Sequence, residues 1–244
     1  VIEQRQFPGE AWAIRETELD LSVLAHSESI FALSNGHIGL RANLDEGEPH
    51  GLPGTYLNSF YETRPLPYPE GGYGYPEAGQ TLINVTNGKI IRLLLDDEPF
   101  DVRYGELRKH ERVLDFRSGL LRREAEWVSP AGQAMRLTTL RMVSFAHRAV
   151  CAILYEVEPL EEAARFVVQS ELVANEPLPG PADGDPRVGA GLGSVLVSEY
   201  FGAEGETRVG LLHRTRESGL LMAAGIDHFV DGPPGTETRA TCRE

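Results

Sequence analysis

Cysteine is scarce: two residues in 244, Cys151 inside an apolar run and Cys242 near the end of the sequence. Two isolated thiols do not make a disulfide framework, and a reducing cytoplasm is the expected setting. Positive charge is also in the minority, with 23 Lys and Arg against 37 Asp and Glu and a net charge of −14. Such a chain repels phosphate backbones and anionic lipid surfaces, so neither nucleic acid nor membrane is an expected partner. Long hydrophobic runs are missing too. The apolar stretch RAVCAILYEV at 148–157 falls well short of a membrane span, and no basic region followed by an apolar one opens the sequence. A soluble, unsecreted protein is predicted.

Helical periodicity is sparse, and what takes its place is a succession of short runs rich in β-branched and aromatic residues, separated by Gly, Pro, Asn and Asp about every ten residues. That spacing predicts an all-β sandwich or barrel. IIRLLLDDEPFDVRY reads as two strands joined at Asp96-Asp97-Glu98-Pro99. GLLRREAEWV and QAMRLTTLRMVSF form a second hairpin about SPAG, with Met135, Leu137, Thr139, Arg141 and Val143 on one face. Residues 149–157 are apolar on both sides of the chain and predict a central strand covered on both faces. ARFVVQSELV and GSVLVSEYF are further strands, and TRVGLLHRT with GLLMAAGIDHFV is another pair.

Two segments interrupt this rhythm. ETRPLPYPEGGYGYPEAG at 62–79 is a long aromatic loop, and NEPLPGPADGDPRVGAGLG at 175–193 is a Pro-, Gly- and Asp-rich connection. LEEAAR at 160–165 is a candidate for a turn of helix. The closing TETRATCRE alternates like a strand and has no turn after it, which suggests a cut within a longer protein.

SNGHIGLR at 34–41 is a hairpin signal. Asn35-Gly36 suits a two-residue type I′ turn, which needs positive φ at both central positions. ESIFAL reads as the strand before it. After it, Ile38, Leu40, Ala42 and Leu44 alternate with His37, Gly39, Arg41 and Asn43. The polar set Glu28, His37, Arg41 and Asn43 is either a solvated surface or the rim of a cleft, and the reading favours the solvated surface.

The segments AWAIRE, ESIFALSNGHIGLRANLDEG, PGTYLNSFYE, GKIIRLLLDDEPFD, LDFRSGLLRRE, RMVSFAHRAVCAILYEVEPL and QSELVANEPLP carry a resemblance. In order and rough spacing, from about Trp12 to Val230, they resemble the N-terminal domain of glycoside hydrolase family 65, the family of maltose, trehalose and kojibiose phosphorylases. Two departures occur: Ser34-Asn35-Gly36 where the family usually has Gly-Asn-Gly, and Arg41-Ala42 where it has Arg-Gly. The resemblance implies an antiparallel β super-sandwich of the galactose-mutarotase-like fold with few short helices. Residues 1–244 would be a single N-terminal domain, truncated before a linker and an (α/α)₆ catalytic barrel. In that family the barrel carries the general acid and the phosphate-binding residues. Inorganic phosphate, a co-substrate, attacks the anomeric carbon with inversion, and no cofactor is implied. The Trp-Asp-Thr-Glu motif around the acid has no counterpart here, because Trp12 precedes Ala13 and Trp127 precedes Val128. No catalytic residue is therefore assigned. The implied partners are the chain's own C-terminal barrel, a second copy in a homodimer and an α-linked glucose disaccharide.

A sugar site needs an aromatic platform with convergent hydrogen-bonding groups, and the long loop offers Tyr68, Tyr73, Tyr75 and Glu77. The plainer reading is that these residues pack the loop. The seven histidines have no ligand spacing such as HxxxH, so no metal site is assigned. GAGLG at 189–193 follows a Pro-rich loop rather than a strand and lacks the context of a dinucleotide fingerprint. Two competing functions stay open: a mutarotase-like enzyme, in which His147 or His213 would pair with a carboxylate, and a carbohydrate-binding module.

Overall fold

The computed structural model describes residue 7 and residues 10–66, 70–161, 163–177 and 194–243. In chain order, β1 (Ala13–Glu16) precedes a 3₁₀ turn (Leu21–Val23) and α1 (Leu24–Ile30), the single α-helix among the described residues. The short strands β2 (Leu33–Ser34), β3 (Ile38–Leu40) and β4 (Thr55–Leu57) come next, then the hairpin β5 (Tyr61–Pro65) and β6 (Ala78–Leu82). The middle of the chain forms β7 (Asn87–Leu95), β8 (Glu98–Pro99), β9 (Glu106–Asp115), β10 (Leu120–Val128), β11 (Ala134–Val143) and β12 (Cys151–Pro159). The remaining strands are β13 (Phe166–Val173), β14 (Leu196–Glu204), β15 (Arg208–Thr215) and β16 (Leu221–Asp227). The all-β class with antiparallel pairing follows the alternation in the sequence.

The chain divides into two compact units, Val1–Asn58 with Lys89–Glu171, and Ser59–Gly88 with Leu172–Glu244. The first is built on a five-stranded sheet, β1-β9-β10-β11-β12, in which every neighbour is antiparallel. Its inner face is apolar at both ends. At one end Leu114, Leu121 and Val143 pack against Phe31, Leu33, Ile38, Leu40 and Ala42. At the other, Ala125, Trp127, Met135 and Leu137 meet Leu93, Leu95 and Phe100, with the Phe100 and Trp127 rings edge to face at 5.3 Å. Sandwich layers arise because β10 and β11 direct every second residue to this face. Between the two apolar ends runs a band of buried polar side chains.

The second unit contains the β5-β6 hairpin and the sheet β14-β15-β16. Leu196, His213, Thr215 and Met222 are the buried residues of the β14-β15-β16 sheet. Asn175, at φ 56°, closes a pseudo-pairing in which its side-chain amide donates to Leu196 O (2.8 Å) and its Oδ1 accepts the Leu196 N–H (3.0 Å).

Several expectations are corrected. ESIFAL is not a strand: its Glu28–Ile30 portion ends α1, and only Leu33–Ser34 is extended before the turn. Leu24, Ser27, Glu28 and Phe31 face inward at i, i+3, i+4 and i+7, a helical period hidden because two of the four are polar. The strand expected to be central, β12, is the edge of its sheet and has an exposed outer face. Residues 160, 161 and 163–165 contain no helix, and residues 228–243 contain no strand. Asn35-Gly36 is not a type I′ turn, since only Gly36 has positive φ (83°). That conformation falls on Asp96-Asp97 (φ 45° and 74°), where Asp96 accepts the Arg165 N–H at 2.8 Å and pairs with Gln133.

Candidate functional site

The polar band in the first unit collects the densest ionisable chemistry of the described residues. His110 and Arg112 on β9, Arg123 on β10, and Thr139 and Arg141 on β11 project inward from the same face as the flanking apolar residues. Beside them on the same sheet is Glu16 of β1, the cross-strand partner of Arg112, and the loop residues Asp45 and Glu46 meet them from outside the sheet. The Glu16 carboxylate accepts from Arg112 Nε at 2.6 Å and lies 3.0 Å from His110 Nε2. Asp45 accepts from Arg141 Nη2 (2.6 Å) and Thr139 Oγ1 (3.0 Å), and Glu46 takes both terminal nitrogens of Arg123 at 2.5 and 2.8 Å. Cation–π contacts tie the band to the apolar ends, Arg112 over Phe31 at 4.9 Å and Arg123 over Phe100 at 5.8 Å.

These groups are shut away: every charged member of the band is at most 6% exposed. Burial pushes the Glu16 carboxyl upward, but the His110 hydrogen bond and the Arg112 charge outweigh it and bring the pKa down to about 2. Asp45 is likewise held below the usual carboxylate range, with burial opposed by the charges of Arg141 and Arg123. For His110 burial prevails over the Glu16 contact, and its pKa falls below 6.5. Three guanidinium groups thus face three carboxylates beside a neutral imidazole. The cavity among them measures about 10 Å³, room for a single water and far too small for a sugar ring.

The polar set beside the hairpin is a second buried knot rather than the solvated face expected from alternation. Glu28 is fully buried and accepts the backbone N–H groups of Gly51 (2.8 Å) and Leu52 (3.0 Å), while Arg41 Nη2 reaches it at 3.2 Å. Asn43 is buried and donates to Leu52 O. His37 is half-buried, and its backbone carbonyl accepts from Asn58. The knot fastens α1 to the loop after β3. Asn35 serves its own turn in the same structural way: Oδ1 accepts the His37 and Ile38 N–H groups, and Nδ2 donates to Ser144 O and Arg148 O.

In the second unit the aromatic loop joins β5 to β6. Tyr68 lies outside the described residues. Tyr73 is fully exposed, Tyr75 is 55% exposed with its ring over Gly72, and Glu77 is exposed with its carbonyl accepting the Leu66 N–H. An open groove of about 690 Å³ at the base of this hairpin is lined by Glu62, Arg64, Pro65, Val195 and Arg216. Sequence reasoning missed Glu62, which carries no motif signal because its partners are backbone groups, two of them more than 150 residues away. Its buried carboxylate accepts the N–H groups of Thr63, Glu217 and Ser218 at 2.7–3.2 Å, and these hydrogen bonds lower its pKa against the effect of burial.

His147 is exposed, and His213 is buried with its pKa lowered by burial alone. Among the described residues the histidine–carboxylate pair that the fold builds is His110 with Glu16. Among the described residues no group of three His, Cys, Asp or Glu is placed to hold a metal ion, and no helix is long and apolar enough to cross a membrane.

Comparison with known proteins gives a consistent result. Residues 14–244 match the model of glycosyl hydrolase family 65, N-terminal domain. An uncharacterized glycosyl hydrolase of Mycobacterium tuberculosis (strain H37Rv) is 60% identical over 243 residues, covering 100% of this chain and 31% of the relative. An alpha,alpha-trehalose phosphorylase of Thermoanaerobacter brockii is 35% identical over 229 residues, covering 92% of this chain and 29% of its own. A solved structure described as a kojibiose phosphorylase from the human microbiome superposes with a TM-score of 0.77 at 22% identity, over 92% of this chain and 28% of that one. The chain therefore spans about a third of the length of these relatives.

Proposed function

The chain belongs to glycosyl hydrolase family 65 as its N-terminal domain, and from that premise we propose that it is a non-catalytic part of an inverting α-glucoside phosphorylase. In the full-length protein it supports a C-terminal catalytic barrel, which uses inorganic phosphate as co-substrate and takes an α-linked glucose disaccharide. One observation carries the scaffold reading: the acids, arginines and histidine that come together in the first unit are buried in mutual ion pairs around a space of about 10 Å³. Such a band fixes the packing of a sandwich and offers no access to a glucoside. The phosphorylase reading is supported by the 35% identity to a trehalose phosphorylase along 92% of the chain.

The exposed loop is one feature open to a ligand or a partner. Tyr73 and Tyr75 present aromatic faces, and we place them toward the entrance of the catalytic site or toward a second copy in a homodimer. The test of the reaction class is phosphorolysis by the full-length protein. Incubated with phosphate and trehalose, kojibiose or maltose, it should release glucose 1-phosphate of inverted configuration from one of them; release of glucose alone, independent of phosphate, would make it a hydrolase. Replacing Tyr73 and Tyr75 with Ala in that protein should raise KM or disturb assembly. Unchanged kinetics and unchanged mass in solution would remove the loop from the account.

A further inference from the structure

An antiparallel sheet with one face in water carries polar residues there. The outer face of the five-stranded sheet obeys this over only half its length. In that half Glu111, Glu124, Thr138 and Glu156 form one cross-strand row, and Lys109, Glu126, Arg136 and Glu158 the next. Ion pairs stitch these rows together, Lys109–Glu124 at 2.5 Å, Arg136–Glu126 at 2.9 Å and Arg136–Glu158 at 2.6 Å. The other half keeps its charges, Arg15, Asp115 and Arg122, on β1, β9 and β10 and is apolar across β11 and β12. Leu120, Met142 and Ala152 continue the row that contains Asp115, and Leu140 with Leu154 continues the next beyond Arg15, Val113 and Arg122. Met142 is 36% and Leu154 47% exposed. Trp12 and Phe116, joined by the Phe116 N–H to Trp12 O hydrogen bond, and Phe145 just beyond β11 add exposed rings at this end of the sheet.

We infer that this apolar half-face, centred on Met142 and Leu154, is the seat of the polypeptide that follows Glu244 in the full-length protein. The inference rests on reading the chain as an N-terminal domain. About two thirds of each relative's length lies outside the matched region, so a large body of chain is tethered to this domain and needs a surface to lie on. The patch is apolar where its neighbouring half is ion-paired, which fits a permanently covered contact rather than a transient, charged one. A tethered segment also reaches the patch at high effective concentration, with no loss of translational freedom. This accounts for β12, whose sequence reads as a strand covered on both faces: Ile153, Tyr155 and Val157 turn inward, and Ala152 and Leu154 wait for the cover.

The test uses the full-length protein with Cys151→Ser and a single new thiol, either Leu154→Cys in the apolar half or Glu158→Cys in the charged half. Maleimide labelling is read by mass spectrometry on the β12 peptide. In the native protein Leu154→Cys should react about 100-fold more slowly than Glu158→Cys, and equally fast after denaturation; Met142→Cys, read on the β11 peptide, should repeat the protection. Equal native rates at the two positions would overturn the proposal. So would protection that vanishes when the protein is diluted to a monomer, since the cover would then be a second copy. Protection that persists in a protein unable to perform phosphorolysis supports the seat while removing the reaction class.

Discussion

At the scale of the residue, Arg123 shows why the buried band is a structural device. Both of its terminal nitrogens are spent on Glu46, and burial would favour its neutral form were it not for that carboxylate, which raises its pKa. Truncation to Ala leaves Glu46 buried without its partner, at a cost of about 3–5 kcal/mol; urea denaturation should show the loss, and a change within about 0.5 kcal/mol would mean the band relaxes freely. Glu16 predicts a pH dependence. Its pKa is 4.5 in an unfolded chain and about 2 when folded, so the unfolded state takes up a proton first as pH falls. Stability present above pH 4.5 is therefore lost as pH approaches about 2, by something on the order of 3 kcal/mol. His110 acts in the same direction at higher pH, because its folded pKa lies below 6.5 and acidification through 6.5 protonates the unfolded chain first. Denaturation curves across this range should decline, with a shallower acid limb in Glu16→Gln. A flat profile would contradict the assignment. None of these partnerships was legible in sequence, since Glu16 and His110 are 94 positions apart and Asp45 and Arg141 are 96 apart.

At the scale of the element, period-2 alternation was legible wherever one face is apolar. The hairpin of β10 and β11, with Met135 through Val143 on one side, is the clearest case. Alternation misled where buried positions are polar, as in α1, whose inward Ser27 and Glu28 conceal a helical stripe, and in the Arg41 and Asn43 positions, which pack rather than solvate. Turn chemistry was half legible. Asn35-Gly36 does turn the chain, but with one positive φ instead of two, because Asn35 uses its side chain to cap the turn and to anchor it to Ser144 and Arg148. Gly36→Ala should cost about 1 kcal/mol through backbone conformation alone, since an added Cβ would meet nothing within 4 Å. Thermal denaturation of that variant checks it; an unchanged midpoint would show that the turn can move to negative φ.

At the scale of the whole molecule, the fold class was legible in the resemblance and in the spacing of short strands, and the TM-score of 0.77 to a kojibiose phosphorylase agrees with it. The candidate site was less legible. Chemistry in a sandwich is assembled across strands far apart in sequence, and here that assembly is inward: the buried His110–Glu16 pair is sealed, and Glu62 under the open groove is engaged by three backbone donors. On the proposed function the domain is a scaffold held together by its ionisable groups, with the reaction carried by the rest of the polypeptide. The most direct test is turnover by the isolated 244-residue chain, shown by circular dichroism to be folded, with trehalose, kojibiose and maltose in phosphate and with α-glucose in a polarimeter. The account predicts no glucose 1-phosphate, no glucose and no acceleration of mutarotation; cleavage or mutarotation that disappears on replacing His110, His147 or His213 with Ala would contradict it.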